Sequence, residues 1–201
     1  MNEALPLAWI ALSALPLALL MSTSYAKIAT VLSILRSALG AEGLPGAGIV
    51  VALSAALTLA TMAPVAATIS RSLDGPGEPT ARQLLDAARE PLRGFAARNA
   101  APRELERFTE LAKRTRPDAT ASDVSVVLPA FVVTELEEAL TLGAALLLPF
   151  LVLDLLVANV LAALGTQSLS ATQVSFPLKL LLFLSVDGLG LLSRALVSSY
   201  L

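Results

Sequence analysis

Apolar positions run almost without interruption through the last third of the chain. From Ala139 to Leu178 the one charge is Asp154, set in a run of Leu, Ala and Val. About 20 apolar residues cross the hydrocarbon of a bilayer, so this run supplies one full crossing and the start of a second. LGTQSLSATQ is its only polar interruption. The pattern predicts two antiparallel apolar helices joined by a turn around Gly165–Gln173. Four ionisable groups lie in or beside them: Glu135, Asp154, Lys179 and Asp187. Leucines need no explanation in a membrane, whereas such charges call for partners.

Upstream, residues Ala4 to Ala26 carry no charge and are long enough to span. A signal peptide is the competing reading, but the segment ahead holds Glu3 and neither Lys nor Arg. An uncleaved first helix is favoured, bent at Pro6 and Pro16. Lys27 and Arg36 then flank a helical stripe of Ile28, Val31, Leu32 and Leu35. It reads as a continuation of that helix across the interface, with both cations snorkelling to water. Gly40, Gly43, Pro45 and Gly46 make a turn. Gly43 to Ser70 is a second apolar helix with a late kink at Pro64, and its many small residues suit close packing against protein.

From Arg71 to Asp123 the pattern changes. Ten of the fourteen Lys/Arg and nine of the sixteen Asp/Glu lie there, so this stretch reads as a water-exposed helical pair. Thr80 caps a helix reaching about Arg98, with Leu84, Leu85, Ala88, Leu92 and Phe95 as its apolar side. Pro102 opens a second, with Leu105, Phe108, Leu111 and Ala112 as its stripe and Glu110 within reach of Lys113 or Arg114. The fold class is therefore all-α and integral to a membrane, two apolar helical hairpins flanking a polar helical domain. Its segments are residues 1–70, 71–123 and 124–201. Lys27 and Arg36 favour a cytoplasmic first turn and hence a periplasmic polar domain, but that domain is itself rich in arginine, so the charge rule alone does not settle the orientation.

Composition narrows the chemistry. At 56% hydrophobic and 15% charged, with mean hydropathy +0.76, the chain is too apolar for an ordinary soluble fold. A net charge of −2 implies no nucleic-acid partner. Without cysteine or histidine there is no disulfide, thiolate zinc site or His-based triad. No catalytic, cofactor or metal site is read, and the chain is not taken for an enzyme.

Six stretches carry a family resemblance: SYAKIATVLSILRSALG, MAPV, PLRGFAARN, LPAFVVTELEEAL, LPFLVLDLLVANVLAALG and FPLKLLLFLSVDG. Their order and spacing over almost the whole chain resemble the FliP/SctR family of the type III secretion and flagellar export apparatus. The resemblance implies a homo-oligomer, a pentamer, in the bacterial inner membrane. It implies assembly with FliQ/SctS-type and FliR/SctT-type subunits into a pore for unfolded substrates, under a larger export gate protein and an ATPase. It also implies a periplasmic central domain. Flagellar members usually carry a cleaved leader, and this chain begins at its first helix, which favours the virulence type. Two departures stand out. Glu137 replaces a common lysine, so a cationic partner is lost. Thr166-Gln167-Ser168 replaces a methionine run that closes the pore in relatives.

Two expectations follow for the charges and the turn. With the turn taken as Gly165–Ser175, Lys179 lies roughly 6 Å from it, and Asp154 and Asp187 roughly 17–18 Å. The lysine is then out of step with both acids, so its carboxylate comes from another subunit or helix, Glu135 and Glu138 being the candidates, or else it snorkels to water near the turn. If copies of the chain surround a pore with these turns inward, Thr166, Gln167, Ser168 and Leu169 ring the constriction with Leu169 as the apolar seal; the competing reading is an ordinary polar surface turn. The competing function is a small-molecule transporter or channel subunit. Such a protein should show inverted repeats with matching polar residues, and the first hairpin has no counterpart of Asp154.

Overall fold

The computed structural model describes residues 20–40, 46–74, 79–165 and 170–200, and among these every regular element is an α-helix. They are α1 (Tyr25–Ala38), α2 (Ala47–Ser72), α3 (Ala81–Asn99), α4 (Pro102–Lys113), α5 (Val124–Ala163), α6 (Ala171–Ser185) and α7 (Gly188–Ser198). Among the described residues α2 and α5 are each long and apolar enough to cross a membrane, and α6 with α7 passes the same test as a pair bent by 60°. Most of the first span expected at Ala4–Ala26, and the turn at Thr166–Leu169, lie outside the described residues.

One expectation fails at the start of α1. The first helix does not run on unbroken, because the chain turns at Ser22–Ser24 before α1 begins. The Thr23 hydroxyl donates to the Leu20 carbonyl and accepts from the Tyr25 N–H, offering the backbone an alternative to helix. The Ser24 and Thr61 hydroxyls pair in the interior.

The chain divides into two compact units, Met1–Ala26 with Thr58–Glu137, and Lys27–Leu57 with Glu138–Leu201. In the first, α3 starts on a capping box: Gln83 N–H donates to Thr80 Oγ1, and Thr80 N–H to Gln83 Oε1 at 2.8 Å. The apolar side expected for α3 is only half used. Leu84 and Leu85 are exposed, and burial concentrates at Phe95 and Ala96, where Phe95 meets Phe131 edge-on at 5.7 Å. Helix α4 does open at Pro102, but its buried residue is Glu104. Arg103 Nε at 3.1 Å and Arg107 Nη1 at 3.3 Å neutralise that carboxylate, and its place in the first turn suits the helix dipole.

Between α4 and α5 the chain is fixed by Asp123. Its carbonyl accepts from Val126 and Val127 to start α5, while its carboxylate takes the Thr120 hydroxyl at 3.0 Å and Thr120 N–H at 3.3 Å. These bonds, with the Arg116 charge, hold the Asp123 carboxyl below its usual range. A lowered folded value means that the stabilisation is complete above about pH 4 and fades as pH falls through the folded value. Asp123→Asn at neutral pH is therefore expected to reproduce the acid effect, speeding tryptic cleavage after Arg114. Unchanged cleavage kinetics would show that the carboxylate does not fix this loop.

The second unit is built on α1. Its buried face is the expected stripe, Ile28, Val31, Leu32 and Leu35, extended by Ala38 and Leu39. Ala139 and Phe150 of α5 and Leu192 and Leu196 of α7 join that core, with Val50, Leu53 and Leu57 of α2 packed against it. Two residues past the end of α1, Gly40 has a φ of 72°, the left-handed geometry in which glycine carries no Cβ penalty.

Candidate functional site

Two lysines are buried in this apolar unit, and each is held by a carboxylate from α5. Lys179, 2% exposed, places Nζ 2.7 Å from Asp154 Oδ2 and donates to the Ala38 carbonyl at 2.9 Å. Ser175, one turn earlier on α6, donates its hydroxyl to the other Asp154 oxygen and is itself fully buried. Ala38 is the last residue of α1, so the ammonium sits where carbonyls lack helical partners and the helix dipole is negative. One cation thus ties α1, α5 and α6 together.

This pairing corrects the expectation that Lys179 is out of step with Asp154. The error lay in starting the second apolar helix at Ser175, whereas α6 begins at Ala171. Counted from the true helix ends, Lys179 is eight residues from Ala171 and Asp154 nine from Ala163, or about 12 and 13.5 Å at the helical rise. The two are level. Within the chain Lys179 takes Asp154 as its carboxylate, and Glu138 is held by a different lysine.

That lysine is Lys27. Its Nζ lies 2.7 Å from Glu138 Oε2, donates to Ser199 Oγ at 3.3 Å and stands 4.2 Å from the centroid of the Tyr200 ring. It is 1% exposed, which overturns the snorkelling expectation. A cation over an aromatic face gains from the ring quadrupole, more so when desolvated. Glu138, by contrast, is 51% exposed, so only the cationic half of this pair is withdrawn from solvent. The two junctions stand eleven residues apart along α1, from Lys27 to Ala38, about 16 Å. The apolar core lies between them.

Other sequence candidates are placed as follows. Asp187 is exposed at the break between α6 and α7, 3.9 Å from Arg194 and remote in register from Lys179. Glu137 regains a cation within the chain, since Arg103 donates to its carboxylate and is pushed above its ordinary range by that contact. Among the described residues no group of three or more His, Cys, Asp or Glu gathers to hold a metal.

Sequence reasoning missed the Lys27 cage and the roles of Ser175 and the Ala38 carbonyl. Glu138, Ser199 and Tyr200 lie 111 and more positions from Lys27, so no local spacing reveals these three partners. Ser175 left a signal, a hydroxyl one turn before a lysine in an apolar helix, and was instead assigned to the turn.

Comparison with known proteins bears on what such a scaffold serves. The model of the FliP family matches residues 9–196. The chain is 36% identical over 203 residues to the hypersensitivity response secretion protein HrcR of Ralstonia nicotianae, covering 95% of this chain and 94% of that one. It is 35% identical over 198 residues to the virulence protein YscR of Salmonella typhimurium, covering 94% and 92%. It is 38% identical over 198 residues to the flagellar biosynthetic protein FliP of Pectobacterium carotovorum, covering 94% of this chain and 75% of that one.

Proposed function

The chain belongs to the FliP family, and we propose that it works as a pore-forming subunit of a type III protein export apparatus. That it is a component of type III secretion or flagellar export follows from its relatives. Its apolar helices accord with a place in the membrane. The finer reading has several copies, a pentamer, assembling with FliQ/SctS-type and FliR/SctT-type subunits in the bacterial inner membrane. Unfolded proteins pass through the assembly under a larger gate protein, and residues 71–123 face the periplasm. The chain's part is structural rather than catalytic.

The observation that carries this reading is the family match over residues 9–196. The lysine junctions support it physically. A pore subunit must keep apolar helices in one register while other surfaces meet its neighbours, and a buried cation on α6 that holds the Ala38 carbonyl of α1 and Asp154 of α5 does this. The test is purification in mild detergent with the products of neighbouring genes, followed by native mass measurement. A stable multi-subunit complex is expected, and a strict monomer would overturn the proposal.

Within this reading the segment Thr166–Leu169 rings the constriction. An apolar constriction closes a pore by dewetting, and Leu169 is the one large apolar side chain of the four. Leu169→Ser is expected to raise the small-ion conductance of the assembled complex in a planar bilayer. Methionine at 166, 167 and 168 is expected to lower it, because flexible thioethers fill gaps. If neither change alters the leak, the seal lies elsewhere.

A further inference from the structure

Helices α6 and α7 are together apolar enough to make one span, yet the chain bends by 60° between them. One residue at the bend departs from helical geometry, and two glycines pack closely beside it. Asp187 lies in the left-handed region, φ 50° and ψ 45°, and is the one non-glycine residue with positive φ among the described residues. Aspartate is among the few side chains that tolerate this geometry. A Cβ on Gly188 would fall 2.3 Å from the Phe183 ring and 2.8 Å from the Phe183 carbonyl oxygen. A Cβ on Gly190 would fall 2.3 Å from the Asp187 carboxylate, which folds over the first turn of α7. Backbone bonds close both sides of the break: Asp187 N–H donates to Leu184 O at 3.1 Å, and Leu191 N–H to Asp187 O at 2.9 Å.

The outer face of the bend has a second property. Leu192 and Leu196 turn α7 toward the core of its unit, while Asp187 and Arg194 are 72% and 80% exposed and only 3.9 Å apart. Two charges facing hydrocarbon are costly, since lipid offers them neither solvation nor screening. The same pair facing water keeps its hydration.

We propose that α6 and α7 form a fixed elbow, set by Asp187, Gly188 and Gly190, whose outer face carries Asp187 and Arg194 into water rather than lipid. The water-facing half of this proposal rests on the membrane reading of the chain, so the experiment first verifies that the protein is in the membrane fraction. The chain has no cysteine, and single cysteines can be placed without a background. In native membranes holding the assembled complex, as spheroplasts and as inverted vesicles, Leu191→Cys and Ala195→Cys are expected to react with a membrane-impermeant maleimide. Leu181→Cys, on the apolar length of α6, is expected not to react. Absence of labelling at both α7 positions, or equal labelling at Leu181, would overturn the assignment.

Rigidity has its own readout. Spin labels at Leu178→Cys and Ser198→Cys are expected to give a narrow distance distribution. Its backbone separation is about 26 Å for the 60° bend against about 30 Å for a straight helix. Asp187→Asn should keep that distribution, because asparagine also enters the left-handed region, and Asp187→Val should broaden or lengthen it. A broad distribution in the otherwise unchanged chain would show a hinge and sink the elbow, whatever the variants do.

Discussion

Replacing Asp154 with leucine is expected to destabilise the protein by about 3–5 kcal/mol, the cost of stranding one partner of a buried ion pair. The stranded group is Lys179, 2% exposed, left with only the Ala38 carbonyl among the partners described above. The reverse change should be milder. Lys179→Met leaves Asp154, which is 27% exposed and keeps the Ser175 hydroxyl, so its charge retains solvent and one donor. The double change, Asp154→Leu with Lys179→Met, should recover much of the loss, since well-packed apolar groups often replace a buried pair at little cost. Thermal unfolding in detergent and the yield of assembled complex both report this order. If the lysine variant is the worse of the two, the pair is not governed by desolvation of its ammonium. A double variant no better than Asp154→Leu would mean that the junction's shape matters more than its charge.

The second large effect is steric. Gly143 of α5 lies against Ile34 of α1, and a Cβ there would stand 2.3 Å from Ile34 Cδ1, 3.1 Å from Cγ2 and 3.3 Å from Cβ. The Cδ1 clash can be relieved by rotating the end of the side chain, at about 0.5–1.5 kcal/mol if a rotamer is strained. The branch at Cβ is stiff and cannot move away. Gly143→Ala also gains about 1 kcal/mol in helix propensity, so the two contributions nearly cancel and that variant is expected to be close to neutral. Gly143→Leu gains no more propensity but must force α1 and α5 apart, and is expected to lose about 1–3 kcal/mol or more, as overpacked cores do. Ile34→Ala should rescue the leucine variant by opening the space. Lost assembly in Gly143→Leu without rescue by Ile34→Ala would place the clash elsewhere, and an undiminished complex would mean that the close approach is not needed. Small residues at helix contacts matter here because lipid supplies no hydrophobic drive between helices, leaving packing to hold them.

Much of the local structure was legible in the chain itself. The Thr80 cap, the Pro102 start and the apolar stripe of α1 follow from side-chain chemistry acting within a turn or two, and all three appear in the structure. The all-helical class and the apolar lengths of α2 and α5 follow as directly from composition. The order of short motifs was enough to identify the family, because it samples the whole chain rather than one site.

What the sequence left open depends on register and on distant partners. A four-residue error at the start of α6 moves Lys179 by about 6 Å along the helix, enough to separate it from Asp154 on paper. Lys27 looks like a snorkelling cation in its local setting, flanked by an apolar stripe at the edge of a span. It is buried because Glu138, Ser199 and Tyr200, from parts of the chain more than a hundred residues away, close around it. The bend at Asp187 was likewise invisible in hydropathy, which counts apolar residues and does not register a single left-handed backbone conformation. Apolar periodicity fixes where helices form, since that balance is struck over neighbouring residues. Which charge meets which is decided when helices pack, because a desolvated cation takes whatever acceptors the tertiary structure brings within hydrogen-bonding distance.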